Sequence, residues 1–323
     1  MRKQNAKIAL AFLVIPLLAI TGCTPAGASV QSQQGLTGTI TVSGAWALYP
    51  MMVRWAEEFQ ELHPGVKFDI SAGGAGKGMA DALAGAVDIG MVSRIIYPEE
   101  IEKGAFWVSV TKDAVFPTFS EKNPVADDLR QQGITREKLI GIYITGEITN
   151  WGQVVDRPQM TDPIHIFTRS DAAGAPATWA DYLGNRKQED LLGVGVYGDP
   201  GVLQAVIKDP LAIGFNNLNY AFDFQTSRPV AGARVMPIDL NGNGQADPEE
   251  VYDTKEQAVT AVAKGYYPSP PARDLNLVTQ GKPQGLTEAF IEWVLTDGQQ
   301  YLDEVGYIPL AAEQLQEGLQ KLD

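Results

Sequence analysis

The stretch HPGVKFDISAGGAGKGMADALAGAVDIGMVSR, residues 63–94, decides the fold because it holds a strand, a loop, a helix and a second strand in order. A turn at HPG leads into a short strand and a glycine-rich loop. Met79, Ala82, Leu83 and Ala86 then recur at the spacing of one helical face, and VDIGMVS is an apolar strand. This order indicates an α/β fold built on a doubly wound sheet.

The same alternation precedes this stretch and follows it. Upstream, TGTITVSG alternates like a strand, and Met52, Trp55, Ala56 and Phe59 mark one helical face. Small residues dominate three strand-to-helix loops: SGAWALYP (43–50), SAGGAGKG (71–78) and TRSDAAGAP (168–176). Since ligands of such sheets bind at loops leaving the carboxyl ends of strands, we expect the three loops to converge on one ligand.

The third loop has the form of an anion site. Pro176 suits a first helical turn, and Trp179 and Tyr182 continue an apolar face, so a helix is predicted to start near Ala175. Its N-terminus would offer unpaired N–H groups and partial positive charge, to which Arg169 adds a cation. The alternative is an ordinary loop-to-helix turn with a surface salt bridge.

Composition limits the partners. The chain has 323 residues, 45% of them hydrophobic, and a net charge of −14, so a globular body is expected and nucleic acid is an improbable partner. An acidic surface does not attract anions either. Any bound anion must therefore be held by local amides and a few arginines.

The N-terminus has the three parts of a secretion signal. Arg2, Lys3 and Lys7 precede a short apolar run, and ITGC follows at residues 20–23. ITGC resembles the bacterial lipobox, which implies that residues 1–22 are removed and that Cys23, the single cysteine, carries the lipid (palmitate). Residues 23–36 are predicted to be a flexible tether. The alternative is a plain cleaved signal with an incidental cysteine. Without residues 1–22 the net charge becomes −17.

Several separated segments resemble the phosphate-binding proteins of bacterial ABC transporters. They are GGAGKGMADALAGAVDIGMVSR, YITGEITNWGQV, TRSDAAGAP and FIEWVLTDGQQYLDEVGYIPL, and they span roughly residues 37–310 in the expected order. The resemblance implies a two-lobed type II periplasmic-binding-protein fold, each lobe a doubly wound sheet flanked by helices. It also implies a monomeric, membrane-anchored, extracytoplasmic protein that delivers an oxyanion to a permease without catalysis or a catalytic cofactor.

In that family the chain crosses between lobes twice. We expect VSVTKDAVFPTFSEKNP to be the first crossing and RPVAGARVMPID the return. Lobe one would then comprise residues 37–114 and 232–323, and lobe two residues 115–231.

The resemblance also assigns the ligand site. Arg169 would grip the oxyanion, Asp171 would orient it, and the amide of Gly174 would face it. The other predicted ligand-binding residues are Ala45, Trp46, Ala47, Gly74, Ala75, Gly76, Ser93, Arg94, Ala173 and Ala175.

Two features of these positions leave the ligand open. Family members usually carry hydroxyl groups where this chain has alanine, so phosphate is the default ligand, and another oxyanion or an organic phosphonate covered by Trp46 or Tyr49 is the alternative. Arg94 would add positive charge to the site or, alternatively, pair with an acidic neighbour such as Glu99.

A second motif predicts a metal site. DLNGNGQADPEE, residues 239–250, fits the calcium-loop pattern D-x-[DN]-x-[DN]-G-x5-E. The predicted ligands are Asp239, Asn241, Asn243, the carbonyl of Gln245, Asp247 and Glu250. The loop would lie in lobe one and bind a structural Ca²⁺; an acidic turn with Asx-type hydrogen bonds is the alternative.

Two other classes of function compete with solute capture. A secreted phosphatase-like enzyme is disfavoured because the two histidines, His63 and His165, stand near no nucleophile motif or metal-ligand spacing. A sensor that reuses the binding fold stays open, as do the identity of the permease and the choice between a single membrane and an outer one.

Overall fold

The computed structural model describes residues 35–323, in which nine strands alternate with thirteen α-helices. The strands are β1 (Thr37–Gly44), β2 (Gly65–Ala72), β3 (Ile89–Val92), β4 (Ala105–Ser120), β5 (His165–Arg169), β6 (Val194–Val196), β7 (Ala212–Asn217), β8 (Ala233–Val235) and β9 (Ala272–Gln280). The helices are α1 (Tyr49–Leu62), α2 (Ala75–Leu83), α3 (Pro98–Glu102), α4 (Ala126–Gln132), α5 (Arg136–Ile140), α6 (Trp151–Val154), α7 (Gly174–Tyr182), α8 (Gly198–Lys208), α9 (Leu218–Ala221), α10 (Lys255–Ala263), α11 (Gly285–Leu295), α12 (Leu302–Val305) and α13 (Ala312–Leu322). Residues 141–145 form a π-helical turn, and residues 188–190 and 297–301 form 3₁₀ turns.

Two groups of parallel strands are joined through one antiparallel pair. The strand order is β2-β1-β3-β9-β4-β7-β5-β6, and β8 pairs with the outer part of β4. β1 runs parallel to β2 and β3, and β7 and β6 run parallel to β5. β4 and β9 are antiparallel, with a register shift between Ser109 and Thr111. The α/β fold class predicted from the sequence is confirmed.

Each group of strands has its own hydrophobic core, and we use these cores to define the lobes. The core of lobe one draws on residues 40–110 and 275–322, and that of lobe two on residues 114–272 together with Ile308. Strand β4 contributes Val108 to the first and Val115 to the second. β4 and β9 are therefore the connections between the lobes.

The predicted return crossing at residues 228–239 is wrong. β8 pairs with Thr118–Ser120 of β4, and Met236, Ile238 and Tyr252 pack in the core of lobe two. The chain returns only at β9, about forty residues later than predicted. Consequently the 239–250 loop belongs to lobe two rather than lobe one, where Asp239 donates its N–H to the carbonyl of Ile134 at 3.0 Å.

The predicted helical faces are buried. In α1, Met52, Trp55, Ala56 and Phe59 are each at most 3% exposed. Complete burial of a large apolar side chain contributes about 1.5–3 kcal/mol, so this face accounts for much of the attachment of α1 to its sheet. α7 begins at Gly174, one residue from the predicted start. Within residues 35–323, no helix combines the length and apolar character that a membrane span requires.

Candidate functional site

Arg169, at the end of β5, lies in a buried ion-pair cluster. Its Nε and Nη2 donate to the two oxygens of Asp171 at 2.7 and 2.5 Å, and its Nη1 donates to Asp199 at 2.6 Å. The Arg169 side chain is 1% exposed. The prediction that its fork-shaped edge grips an oxyanion is therefore not met in this arrangement, because Asp171 occupies that edge.

Arg169 and Asp171 keep their charges in this cluster. Burial opposes the charge of Arg169, but Asp199 and Asp171 outweigh it and raise the pKa of the guanidinium. Burial likewise opposes ionisation of Asp171, but hydrogen bonds and charge from Arg169 lower its pKa. A guanidinium has five N–H donors, and three are used here. Two N–H groups of Arg169 thus have no acceptor among the described residues.

Asp199 and Asn217 are functional residues that sequence reasoning missed. Asp199 is fully buried in the first turn of α8, and Asn217 at the end of β7 donates to it from its backbone N at 2.9 Å and from Nδ2 at 2.8 Å. The available signal was YGDPG, residues 197–201, which is a further glycine-rich strand-to-helix junction. Its aspartate holds Arg169 in place.

The loops before α2 and α7 meet across the cleft between the lobes. Gly76 donates its N–H to the carbonyl of Ala172 at 3.0 Å. Gly74 adopts φ +93°, and a Cβ at this position would lie 2.5 Å from the same carbonyl oxygen. The backbone approach requires glycine at Gly74. Lobe one and lobe two are therefore in direct contact at the predicted site.

Ser93 completes this junction. Ser93 follows β3 and is 2% exposed. It lies so close to Gly174 that a Cβ on Gly174 would overlap the side chain and the carbonyl of Ser93. Two helix N-termini, of α2 and α7, thus stand side by side with Ser93 between them. Two of the three loops that were predicted to converge therefore meet here.

Three buried N–H groups at these helix starts have no partner. No acceptor within residues 35–323 bonds the backbone N–H of Ala75, Gly174 or Ala175, although all three residues are buried. A buried N–H without a partner is costly, and at a helix N-terminus it also carries partial positive charge. The arrangement can accept a small oxyanion, because such a ligand supplies several acceptors at one point.

Three other predicted amides are already used. Ala45 donates to the carbonyl of Met91 at 2.9 Å, Gly74 to the carbonyl of Gly44 at 3.0 Å, and Ala173 to Oε1 of Gln188 at 3.1 Å. These three positions therefore shape the loops and do not offer free donors. Gln188, another residue missed from the sequence, also donates to the carbonyl of Asp171 at 2.7 Å and so fixes the loop before α7.

Trp46 forms an aromatic wall beside the cleft. Its ring meets Tyr197 edge-on at 5.9 Å and Tyr220 at 6.4 Å, both in lobe two. The Trp46 Nε1 is buried without a partner among the described residues. The neighbouring carbonyl of Ala47 accepts a hydrogen bond from Tyr307 at 2.6 Å. The loop after β1 thus contributes packing between the lobes.

Arg94 does not join the cluster. Its guanidinium pairs in a bidentate manner with Glu100 at 2.9 and 2.6 Å and stacks on Tyr97 at 4.3 Å. The acidic partner is Glu100 and not Glu99. Arg94 instead lines a groove of about 1060 Å³ that also includes Gly76. The expectation that Arg94 adds charge to the anion site is therefore wrong, because a closer carboxylate neutralises it.

The predicted calcium loop is tightly turned. Asp239 and Glu250 are 4% and 5% exposed. Asp239 accepts N–H groups from Gly242, Asn243 and Gly244, while Glu250 accepts those of Leu240 and Asp247.

The side-chain amides of Asn241 and Asn243 donate to Asp247, and Gln245 donates its N–H to Asn243. Within residues 35–323, no group of three or more acidic, histidine or cysteine side chains is arranged to hold a metal. Calcium binding stays a prediction. Cys23 lies outside the described residues.

Comparisons with known proteins agree on one family. The model of a PBP superfamily domain matches residues 29–298. The chain is 25% identical over 317 residues to the phosphate-binding protein PstS of Bacillus subtilis, covering 95% of each chain. It is 27% identical to the PstS of Methanocaldococcus jannaschii, covering 89% of this chain and 86% of the relative.

Solved structures show the same fold. A phosphate ABC transporter substrate-binding protein from Clostridium perfringens with bound phosphate superposes with a TM-score of 0.69 at 24% identity, over 85% of this chain and all of that one. A phosphate transport receptor from Vibrio cholerae gives a TM-score of 0.61 at 23% identity, over 84% of this chain and all of that one.

Proposed function

The chain belongs to the PBP superfamily, and from that premise we propose that it captures phosphate between its two lobes and delivers it to an ABC importer. The observation that carries the proposal is the set of unpartnered, buried N–H groups of Ala75, Gly174 and Ala175. Relatives named as phosphate-binding proteins align along almost the whole chain, which supports phosphate as the ligand.

The proposed mechanism is closure on the anion. Ala75 belongs to lobe one, while Gly174 and Ala175 belong to lobe two, so an oxyanion that accepts from all three bridges the lobes. Such a ligand binds the closed form better than the open form and shifts the population toward it. Delivery to the permease would follow from recognition of the closed form.

The charges around Arg169 leave the backbone amides as the main hydrogen-bond donors to the anion. Arg169 faces two carboxylates, Asp171 and Asp199, so these three groups together carry one negative charge. The anion is held by aligned N–H groups and by the two remaining donors of Arg169. Because alanine replaces hydroxyl groups at Ala75, Ala173 and Ala175, another oxyanion or an organic phosphonate is the second candidate for the same site.

The proposal makes the protein a binder and not an enzyme. Support comes from the binding role in the names of its relatives and from His165, whose Nδ1 contacts Asp209 at the exposed start of β5 rather than at the cleft. We further propose an extracytoplasmic monomer anchored by lipid on Cys23. The ITGC sequence supports the anchor.

We also propose that the 239–250 loop binds a structural Ca²⁺. The residues fit the ion chemically, since two buried carboxylates, one further carboxylate and amide or carbonyl oxygens supply hard oxygen ligands. Asp239, Asn241, Asn243, Gln245, Asp247 and Glu250 would hold it. The loop packs on α4, where Ala246 donates to the carbonyl of Gln131 at 2.8 Å, so the ion would stiffen lobe two.

Amide NMR during a phosphate titration tests the main proposal. We expect the N–H resonances of Ala75, Gly174 and Ala175 to shift downfield, because each acquires an acceptor. The N–H groups of Ala45 and Ala173 are matched controls, since they already have protein acceptors. Saturable binding without shifts at the three amides would refute the site.

A thermal-shift panel of phosphate, sulfate, arsenate, molybdate and methylphosphonate ranks the ligands. A ligand at about a hundred times its Kd stabilises a protein by about 2.7 kcal/mol, which is readily measured. Stabilisation by an uncharged solute but by none of these anions would contradict the oxyanion function.

A further inference from the structure

Arg273 occupies the junction between the two lobes. It is the second residue of β9 and pairs in register with Asp113 of β4, so it lies where the two strands that connect the lobes pair with each other. Its side chain is 7% exposed and that of Asp113 is 1% exposed. A charged side chain is rarely buried this deeply unless partners on several sides hold it.

Its three nitrogens contact three different parts of the molecule. Nε donates to the carbonyl of Ser93 at 3.2 Å, in lobe one. Nη2 donates to Oδ1 of Asn217, in lobe two. Nη1 lies 3.1 Å from Oδ2 of Asp113 on β4. Because a guanidinium is planar and rigid, these contacts fix the relative position of their partners.

The contacts continue to the anion site. Asn217 donates to both oxygens of Asp199, and Asp199 accepts from Nη1 of Arg169. Arg273, Asn217, Asp199 and Arg169 thus form an unbroken buried chain of polar side chains. On the other side, Ser93 touches Gly174, whose N–H is one of the free donors. Arg273 therefore contacts one residue on the lobe-one side of the proposed anion site, Ser93, and one on the lobe-two side, Asn217.

Opening the cleft would break this arrangement. Ser93 and Asn217 lie in different lobes, so moving the lobes apart separates the two acceptors. A single guanidinium cannot follow both. The complete set of contacts made by Arg273 is consequently available only when the lobes are together.

We propose that Arg273 is a positioning residue that clamps the lobes in the closed arrangement and couples that closure to the anion site through Asn217 and Asp199. The proposal rests on the proposed capture of an oxyanion between the lobes. Arg273 acts without touching the anion, and its effect on binding arises from the closed population that it favours.

Arg273→Lys is the direct test. Lysine keeps the positive charge beside Asp113 but, as a single point of donation, cannot bond Ser93 and Asn217 in the same geometry. We expect its Kd for inorganic phosphate to rise roughly tenfold or more, the equivalent of one charge-assisted hydrogen bond. Hydrogen exchange of residues 73–78, which report the bond from Gly76 to Ala172, should accelerate in parallel without ligand. Arg234→Lys, a partly exposed arginine paired with Asp127, is the matched control.

Asn217→Leu provides a second route to the same answer. It breaks the link between Arg273 and Asp199 while keeping both charges. If Arg273 and Asn217 act as one unit, the double variant Arg273→Lys/Asn217→Leu should bind phosphate no more weakly than the weaker-binding of the two single variants. The proposal would be overturned if Arg273→Lys bound phosphate and exchanged its amide hydrogens as the wild type does. It would also be overturned if Arg273→Lys lowered the melting temperature but left hydrogen exchange at residues 73–78 unchanged. Absence of phosphate binding by the wild type would refute the proposed function instead, while the exchange measurements still decide on the clamp.

Discussion

Replacing Gly74 by alanine should weaken phosphate binding because it obstructs contact between the lobes. The added Cβ would lie 2.5 Å from the carbonyl oxygen of Ala172 and 2.9 Å from Oδ2 of Asp171. Nonbonded heavy atoms prefer separations of about 3.5 Å, so the two loops must move apart by about 1 Å. That displacement breaks the bond from Gly76 to Ala172 and separates the free amides on either side.

We expect a cost of about 2 kcal/mol to closure, from one hydrogen bond and imperfect contact with the anion, and hence an approximately thirtyfold weaker Kd. Isothermal titration calorimetry with phosphate measures the affinity. Small-angle X-ray scattering at saturating phosphate measures compaction, which should be smaller than in the wild type.

Gly85→Ala is the matched control. Gly85 also has a positive φ, +66°, but no atom lies within 4 Å of the position of its Cβ. Both variants place alanine at a positive φ, which costs roughly 1 kcal/mol or more. Gly74→Ala carries the larger backbone strain, because Gly74 combines φ 93° with ψ 157°, a conformation essentially restricted to glycine, and it alone adds the collision. Equal phosphate affinities of the two variants would refute the contact between the loops as a part of binding.

Three further outcomes are expected. Asp199→Asn should lower the free energy of unfolding by about 3 kcal/mol in denaturant titrations, because it leaves Arg169 buried with one carboxylate. It should also weaken phosphate binding in calorimetry, because an amide oxygen cannot accept from Arg169 and from both donors of Asn217 at once; an unchanged free energy of unfolding would contradict the assigned geometry. Burial raises the pKa of Asp113 to about 6 despite the charge of Arg273, so the folded state retains this proton to higher pH than the unfolded state. The free energy of unfolding of the wild type, relative to that of Asp113→Asn, should therefore fall by up to about 3 kcal/mol from pH 3.5 to 7. A difference in unfolding free energy that does not change with pH would contradict the raised pKa. Glu250→Gln should lower the melting temperature more in calcium than in chelator, where it loses only the acceptor of one of two backbone N–H groups. Identical melting curves for the wild type in both conditions would rule out a calcium site.

The acidic charge of the protein determines which groups can hold an anion at the site. The chain carries a net charge of −14, and Arg169 is outnumbered by its two carboxylate partners. Attraction from a distance is therefore weak, and selectivity must arise at contact, where aligned N–H groups replace the water around an oxyanion. The glycine and alanine residues of the loops fit this role, because they let the backbone approach the ligand closely.

The sequence by itself determined the fold class, the helix that begins at Gly174 and the convergence of glycine-rich loops, because apolar periodicity and small residues before helices are local features. Only the tertiary structure decided which charges pair. Arg94 binds Glu100, and Arg169 is shared between Asp171 and Asp199, which lies thirty residues further along the chain. The return crossing was misplaced for the same reason: a strand as short as β8 carries no sign of its partner, and pairing with β4 assigned residues 232–271 to lobe two. The pairing of distant charges and strands depends on where the folded chain brings them together, which no short stretch of sequence encodes.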